Sequence, residues 1–276
     1  MTLLQTLLLA IVQGITELFP ISSVAHAVLT PWIFGWSLTP EFLKDHFLPF
    51  VVMLHLGTAV ALLLFFWRDW LDFLLSLFDS RARDARRELV RVIIGTIPAA
   101  LIGLVLERRL RELFPSVTSA GIFLVINGFI LFLGERARGR GTRELKDIGW
   151  VDALLIGLAQ SLALVPGFSR SGASIVAGFW AGLSHEASAR FSMLLATPLI
   201  AGASLLEIPK LVHTEGGAAT LGIGAVGGLV AGIVAFFSVW ALMSWFRRHE
   251  FDAMRPFALY CWIVGGLVVL GSALGV

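Results

Sequence analysis

The stretch ALVPGFSRSGASIV, residues 163–176, places an arginine between two serines in one of the most apolar parts of the chain. Pro166 and Gly167 stand just before these residues. Proline removes a backbone donor and disfavours helix for the residue that precedes it. We therefore expect one helix to end near this proline and another to begin at the serines. A permanent cation at such a break needs an anionic partner, because an isolated charge in an apolar environment is costly.

The composition is that of an integral membrane protein. Of the 276 residues, 57% are hydrophobic and 14% are charged, and the mean hydropathy is +0.87. A soluble domain carries about 25% charged residues. No polar segment is long enough to fold separately, so we expect a single membrane domain over residues 1–276. The only cysteine, Cys261, excludes a disulfide within the chain.

Six stretches are apolar enough to cross a bilayer, which needs about 20 mainly apolar residues. Two further apolar regions, 3–34 and 150–182, are interrupted by LFPISS and LVPGFSRS. Each of these regions predicts two half-helices that meet at a polar turn. The alternative is a pair of ordinary helices that proline and glycine merely kink. The six predicted spans cover 50–67, 90–106, 118–134, 191–207, 219–243 and 257–275.

Both halves of the chain follow the same plan, a broken hairpin followed by three spans. AIVQGITELFPISS at 10–23 resembles GLAQSLALVPGFSRS at 157–171 in the order of glutamine, apolar run, proline and serine. An odd number of spans per half gives the second half inverted topology, and such repeats place a site where the broken helices meet. We expect an all-α polytopic membrane protein with two inverted-topology repeats, about 1–147 and 148–276. Each repeat is a re-entrant broken helical hairpin plus three transmembrane helices.

Basic residues predict the orientation. The loops 68–89 and 135–147 each carry five of them, and two spans separate these loops. The excess of basic residues in cytoplasmic loops assigns both to the cytoplasmic side. The first hairpin then enters from outside and the second from the cytoplasm.

The first break brings several chemically active side chains together. Gln13 and Glu17 are four residues apart and share a helix face. Ser22 and Ser23 follow the proline, and His26 lies three residues beyond Ser23, which predicts a hydroxyl beside an imidazole, the pairing that activates a serine. The alternatives are that the serines only cap a helix and that His26 is a satisfied buried histidine.

The second break supplies a cation and hydroxyl groups. Arg170 presents a planar fork that suits phosphate oxygens. Ser169, Ser171 and Ser174 begin the next half-helix, whose dipole also favours an anion. With the residues of the first break, this set suits phosphoryl transfer, where positioning and charge stabilisation dominate. A structural ion pair between Glu17 and Arg170 is the alternative.

Two motifs resemble those of the undecaprenyl-diphosphate phosphatases of the bacitracin-resistance type. QGITELFPISSVAH at 13–26 is similar to the family pattern EGxTEFLPISSTGH, and PGFSRSGAS at 166–174 is similar to PGxSRSGxT. The resemblance extends over nearly the whole chain. It implies hydrolysis of a C55 polyprenyl diphosphate to the monophosphate and inorganic phosphate. It further implies a multi-pass protein of the bacterial inner membrane, an active site that opens to the outer face, and a divalent cation, commonly Mg²⁺.

The resemblance also implies roles for individual residues. Glu17 would bind the metal or orient His26, Ser23 would be the nucleophile, and His26 would be its acid/base partner. Arg170 would hold the diphosphate. Hydrogen bonds to the substrate are expected from Gln13, Ser22, His55, Ser169, Ser171 and Ser174.

The chain departs from the family pattern at three places. Gln13 replaces a glutamate, which removes a negative charge from the expected metal site and weakens the expectation of Mg²⁺. Val24 and Ala25 replace Thr-Gly, and His55 stands where glutamine is usual, either as a ligand or as a spacer. A polyprenyl-phosphate transporter or flippase on the same scaffold is the alternative function, and an ion channel suits a helix-end arginine less well. The expected partners are the lipid and the membrane, without nucleic acid, and the apolar outer surface predicts either lipid contact or a homodimer.

Overall fold

The protein is all-helical throughout the residues that the computed structural model describes, which are 1–39, 42–79, 81–113, 116–137, 141–212, 216–249 and 252–275. These ranges contain no β-strand, and short 3-10 and π turns join some of the helices. The eleven α-helices are α1 (Leu3–Thr16), α2 (Ser23–Ile33), α3 (Phe47–Phe65), α4 (Trp67–Ser76), α5 (Arg83–Leu113), α6 (Val117–Arg136), α7 (Trp150–Gln160), α8 (Arg170–Trp180), α9 (His185–Val212), α10 (Gly217–Arg248) and α11 (Arg255–Leu274).

Six helices among the described residues are long and apolar enough to cross a membrane, which confirms the predicted number of spans. They are α3, α5 up to Leu106, α6, α9 up to Lys210, α10 and α11. Several extend beyond the predicted stretches because polar and charged residues continue the helix past the apolar segment. The stretch 219–243, for example, is the interior of the 32-residue helix α10.

The first predicted break is present between α1 and α2. Thr2 starts α1 with a capping box, in which its hydroxyl accepts from the Gln5 amide and its own amide donates to the Gln5 side chain. Ser22 starts α2 as the N-cap, and its hydroxyl accepts from Ala25 N at 3.3 Å. Ser22 has a φ of 68°, in the left-handed region that non-glycine residues seldom adopt. The turn between the two helices is therefore sharp and under backbone strain.

The second predicted break lies between α7 and α8. A 3-10 turn, Ser161–Leu164, follows α7, and Gly167 then reverses the chain with a φ of 114°. A Cβ at Gly167 would lie 2.8 Å from the carbonyl oxygen of Ala120, so only glycine meets both the conformation and the space. Ser169 caps α8 by accepting from Gly172 N at 3.1 Å. The interpretation of both regions as kinked continuous helices is wrong.

The two hairpins pack against long helices of the opposite half of the chain. The first helix of each is involved, because α1 packs on α10 and α7 packs on α5. Glycines allow the backbones to touch, since a Cβ at Gly157 would overlap the carbonyl oxygen of Gly95, and one at Gly57 would overlap that of Gly228 where α3 crosses α10. Small residues at such crossings are typical of helix packing in membranes. The turns at both breaks lie in the interior, where Leu18 and Pro166 are buried.

A carboxylate at the end of α6 fixes the other ends of the long helices. Glu135 accepts hydrogen bonds from Ala253 N at 2.8 Å and Met254 N at 2.9 Å, just before α11. Its Oε1 also lies 2.9 Å from Nε2 of His185, the first residue of α9. The basic loop that follows α6 is only partly described, because residues 138–140 lie outside the described ranges.

Candidate active site

The two breaks meet through an ion pair. Glu17 directly follows α1, and Arg170 is the first residue of α8. Arg170 donates to Glu17 Oε1 from Nη2 at 3.0 Å and from Nε at 3.3 Å, and it donates from Nη1 to the Ser192 carbonyl oxygen at 3.0 Å. The side chains of Arg170 and Glu17 are only 10% and 5% exposed. Residues 153 positions apart therefore form one buried, charged centre, as the sequence predicts.

The second carboxylate oxygen of Glu17, Oε2, contacts polar groups of the first break and of α3. Ser23 Oγ donates to Glu17 Oε2 at 2.6 Å, and Gln13 Nε2 donates to the same atom at 3.2 Å. His55 Nε2 lies 3.1 Å from Glu17 Oε2 and 3.4 Å from Ser23 Oγ. His55 Nδ1 lies 2.8 Å from the Val51 carbonyl oxygen, so Nδ1 must carry a proton and Nε2 is the nitrogen that faces Ser23. The hydroxyl of Ser23 thus lies between a carboxylate and an imidazole.

The imidazole beside Ser23 belongs to His55, and the predicted pairing of Ser23 with His26 is wrong. Both ring nitrogens of His26 are occupied elsewhere, because Nδ1 lies 2.7 Å from the Ser22 carbonyl oxygen and Nε2 lies 2.7 Å from the Tyr260 hydroxyl. The His26 ring also stacks on Tyr260 at an angle of 19°. His26 therefore matches the alternative of a satisfied buried histidine. Tyr260, which lies in α11, binds the His26 ring and holds it away from Ser23.

The serines of the second break divide into two groups. Ser169 reaches the cavity described below, as predicted. Ser171 and Ser174 are almost completely buried and are not among the residues that line this cavity. Ser171 Oγ donates to the Phe19 carbonyl oxygen at 3.3 Å, and Ser174 Oγ lies 2.7 Å from Ser192 Oγ. Both hydroxyls hold α8 against neighbouring elements, so the cavity lends no support to their predicted contact with substrate.

A cavity of about 420 Å³ opens over the ion pair. One end, called the polar end below, brings together six of the ten predicted site residues: Glu17, Ser22, Ser23, His55, Ser169 and Arg170. The rest, called the apolar groove, runs between α5 and α9 and is lined mainly by apolar residues, with Gln160 and Glu207 as polar exceptions. Its apolar residues include Ala99, Gly103, Leu199, Gly202 and Leu206. The cavity therefore suits a molecule with a compact polar head and an apolar tail.

Three residues outside the predicted set also contact the site or its supports. Gln160 lines the cavity and donates from Nε2 to the Gly95 carbonyl oxygen at 2.7 Å. The repeat alignment offered a signal for it, since Gln160 is the counterpart of Gln13. Gln13 itself lies behind Glu17 and does not line the cavity, contrary to the prediction. Asn127 contacts both breaks from α6, and Tyr260 contacts His26 from α11. No local sequence pattern indicates either residue.

The described residues do not fit a divalent cation held by protein side chains. They contain no group of three or more His, Cys, Asp or Glu placed to hold a metal. Both oxygens of Glu17 already accept hydrogen bonds, and the guanidinium of Arg170 is one of the donors. Mg²⁺ needs near-octahedral oxygen ligands and usually one or two carboxylates. Glu17 is engaged by these partners, and Glu207, the other carboxylate that lines the cavity, accepts from Lys210 at 2.9 Å. The expectation of a metal at Glu17 therefore gains no support from the donor set.

Comparison with known proteins agrees with the two motifs. The family described as "Bacitracin resistance protein BacA" matches residues 6–267. The chain belongs to the BacA family. A BacA-family relative from Oenococcus oeni, named "Undecaprenyl-diphosphatase 2", is 52% identical over 99% of both chains. A protein of the same name from Chromobacterium violaceum is 46% identical over 96% of this chain and 97% of its own. "Undecaprenyl-diphosphatase" from Acidiphilium cryptum is also 46% identical, over 98% of both chains.

Membership of the BacA family confirms the resemblance predicted from the sequence. The two motifs that carry the resemblance, 13–26 and 166–174, contribute five of the six residues at the polar end. The sixth, His55, comes from α3. The polar end therefore joins the two motifs to a side chain from outside them.

Proposed function

We propose that this chain is an integral membrane phosphatase that hydrolyses undecaprenyl diphosphate to the monophosphate and inorganic phosphate. Such a reaction recycles the lipid carrier of cell-wall precursors. The observation that carries the proposal is the single cavity that joins Arg170, Glu17 and Ser23 to an apolar groove. The comparison with BacA-family relatives supports it, because three relatives that match this chain over nearly their full lengths are named undecaprenyl-diphosphatases.

The two parts of the cavity would bind different parts of the substrate, the polar end the diphosphate and the apolar groove the lipid tail. The guanidinium of Arg170 offers a planar fork for two phosphate oxygens, and Ser169 stands beside it at the start of α8. The apolar groove would receive the first isoprene units, since burial of apolar surface drives such contacts. A head held at one end and a tail at the other fix the diphosphate over Ser23.

The proposed reaction starts at Ser23. Its Oγ attacks the terminal phosphorus while its proton passes to Glu17 Oε2, which already accepts that hydroxyl at 2.6 Å. The bond from this phosphorus to the bridging oxygen breaks, and the lipid monophosphate leaves. Water then cleaves the phosphoserine to give inorganic phosphate and free Ser23. An activated water that attacks directly gives the same products.

Charge stabilisation at the polar end comes from two side chains. Arg170 faces the phosphoryl oxygens, on which charge accumulates in the transition state. His55 is the imidazole within reach of the reacting groups, since its Nε2 lies 3.4 Å from Ser23 Oγ. The predicted divalent cation stays a prediction, and no step above depends on it.

The proposed topology is a single membrane domain of two inverted repeats, about 1–147 and 148–276, with re-entrant hairpins. The reciprocal packing of α1 on α10 and of α7 on α5 supports it, because each hairpin contacts the matching long helix of the other half. The basic loops supply the orientation, with the cavity open to the outer face of the bacterial inner membrane. Exposed apolar side chains on the outer helices leave the homodimer as a prediction beside plain lipid contact.

The test is phosphate release from farnesyl or undecaprenyl diphosphate by the purified protein in detergent, with and without Mg²⁺. We expect release that Arg170→Ala abolishes. Arg247→Ala is the matched control, because Arg247 is half-exposed at the end of α10, where it lies 3.8 Å from Glu186 and donates to Ser244 Oγ at 3.4 Å. Absence of release together with tight binding of the lipid monophosphate would favour the transporter or flippase, which the relatives' names do not support.

A further inference from the structure

One side chain outside the cavity connects the two breaks. Asn127 lies in the middle of α6 and is 1% exposed. Its Nδ2 donates to the Pro20 carbonyl oxygen at 3.0 Å, and its Oδ1 accepts from Ser169 N at 3.0 Å. Pro20 belongs to the first break, and Ser169 precedes Arg170 in the second. A single carboxamide therefore holds the backbone of both breaks at once.

The chemistry of these contacts selects an amide. The Pro20 carbonyl needs a donor, and the amide of Ser169, an N-cap residue, needs an acceptor. Asparagine presents one of each from the same group. Aspartate would place a second acceptor against the Pro20 carbonyl, and leucine, of similar size, would leave both backbone groups unsatisfied at a cost of about 1–3 kcal/mol each.

Two other contacts join the breaks, the ion pair of Arg170 with Glu17 and the hydrogen bond of Ser171 with Phe19. The ion pair of Glu17 with Arg170 must loosen when Arg170 turns its fork toward a diphosphate. Ser171 Oγ reaches the Phe19 carbonyl oxygen, but at 3.3 Å. Asn127 is not among the residues that line the cavity, so its two bonds persist while the charged groups change partners.

We propose that Asn127 is a positioning residue that keeps Arg170 of one hairpin in register with Glu17 and Ser23 of the other. This inference rests on the proposed phosphatase function. Asn127 touches no reacting atom. It acts by fixing the separation of the phosphate-binding residue from the nucleophile, and a misplacement of about 1 Å between such groups costs on the order of 10²-fold in rate.

The test compares Asn127→Leu and Asn127→Asp with Ser238→Ala. Ser238 is the matched control, since it is also buried in a long helix and its hydroxyl donates to the Val234 carbonyl oxygen one turn away. We expect kcat for phosphate release to fall about 10²-fold in both Asn127 variants, with KM changed less than about 3-fold, because Arg170 and the groove still bind. A purely structural role would lower the folded fraction and leave kcat per folded molecule unchanged.

Cys261 provides a readout that needs no activity. Asn127 Nδ2 lies 3.4 Å from its Sγ, and this is the only cysteine in the chain. Separation of the breaks should raise the rate of maleimide labelling of Cys261 in Asn127→Leu, with labelling of Ser238→Ala as in the unmodified protein. Unchanged kcat and unchanged labelling in both Asn127 variants would overturn the inference. If the unmodified protein releases no phosphate, the proposed function fails by itself, and the labelling rate alone decides on Asn127.

Discussion

The ion pair between Glu17 and Arg170 allows stability and function to be separated by experiment. Arg170→Met removes one partner of a pair that is at most 10% exposed and leaves a buried carboxylate. Breaking a buried pair in this way costs about 3–5 kcal/mol of unfolding free energy. We expect the lower end of that range, because Ser23, Gln13 and His55 still contact Glu17 Oε2.

The double variant Glu17→Gln/Arg170→Met removes both charges while keeping similar volumes. It should recover most of the stability that Arg170→Met loses, and the coupling energy of the double-mutant cycle should be at least about 2 kcal/mol. The four proteins of the cycle are the unmodified protein, Glu17→Gln, Arg170→Met and the double variant. The assay is their reversible unfolding in mixed micelles, with phosphate release measured on the same preparations. We expect no release from any of the three variants, because the fork that binds phosphate or the acceptor for the Ser23 proton is missing.

Two outcomes would refute this reasoning. A coupling energy below about 0.5 kcal/mol would mean that the pair does not share a buried environment. Phosphate release by the double variant near the unmodified rate would mean that Glu17 and Arg170 only pin the hairpins together. The second result would restore the structural alternative raised by the sequence.

Three further predictions concern other parts of the molecule. His55→Ala should lower phosphate release at least about 10²-fold and His26→Ala less than about 10-fold, because only the first imidazole faces Ser23; the reverse order in release assays would contradict the site. Gly202→Trp should lower kcat/KM about 10-fold by displacing about two buried methylene groups of the tail, and Gly222→Trp, also with open space at its Cβ but outside the cavity, should not. Glu135→Gln should lower the free energy of unfolding by about 1–3 kcal/mol and spare phosphate release per folded molecule, and full stability in the same unfolding assay would argue against its role in joining α6 to α9 and α11.

Much of the fold could be predicted because its signals are local. Apolar runs of sufficient length indicated the six spans, and proline with hydroxyl residues indicated both breaks. The meeting of the two breaks was predicted from their matching polar residues, and the ion pair of Glu17 with Arg170 was raised as a structural alternative, since a buried charge needs a partner. The positions where helices end were less accurate, because the basic C-terminal end of α10 continues the helix beyond its apolar segment.

The residues that failed the prediction have partners far away in sequence. Ser23 and His26 do share a helix face by spacing, yet Tyr260, 234 residues from His26, takes its Nε2, and the Ser22 carbonyl oxygen takes its Nδ1. Ser171 and Ser174 were assigned to substrate, but their hydroxyls bond to Phe19 and Ser192 instead. Spacing identifies which side chains are neighbours on one helix. Spacing does not identify which of these side chains will bond to a residue from another helix.

The contact between Gln13 and Glu17 makes the metal question testable. Gln13 Nε2 lies 3.2 Å from Glu17 Oε2, so Gln13→Glu would place two carboxylates side by side. Two like charges so close are stabilised by a shared proton or by a cation between them, and a pair of carboxylates with phosphate oxygens is a set that Mg²⁺ accepts. We expect phosphate release by Gln13→Glu to rise with Mg²⁺ and to fall with a chelator more steeply than in the unmodified protein. Gln5→Glu, the same change at the exposed start of α1, is the control, and an unchanged Mg²⁺ response in Gln13→Glu would mean that position 13 does not face the cation.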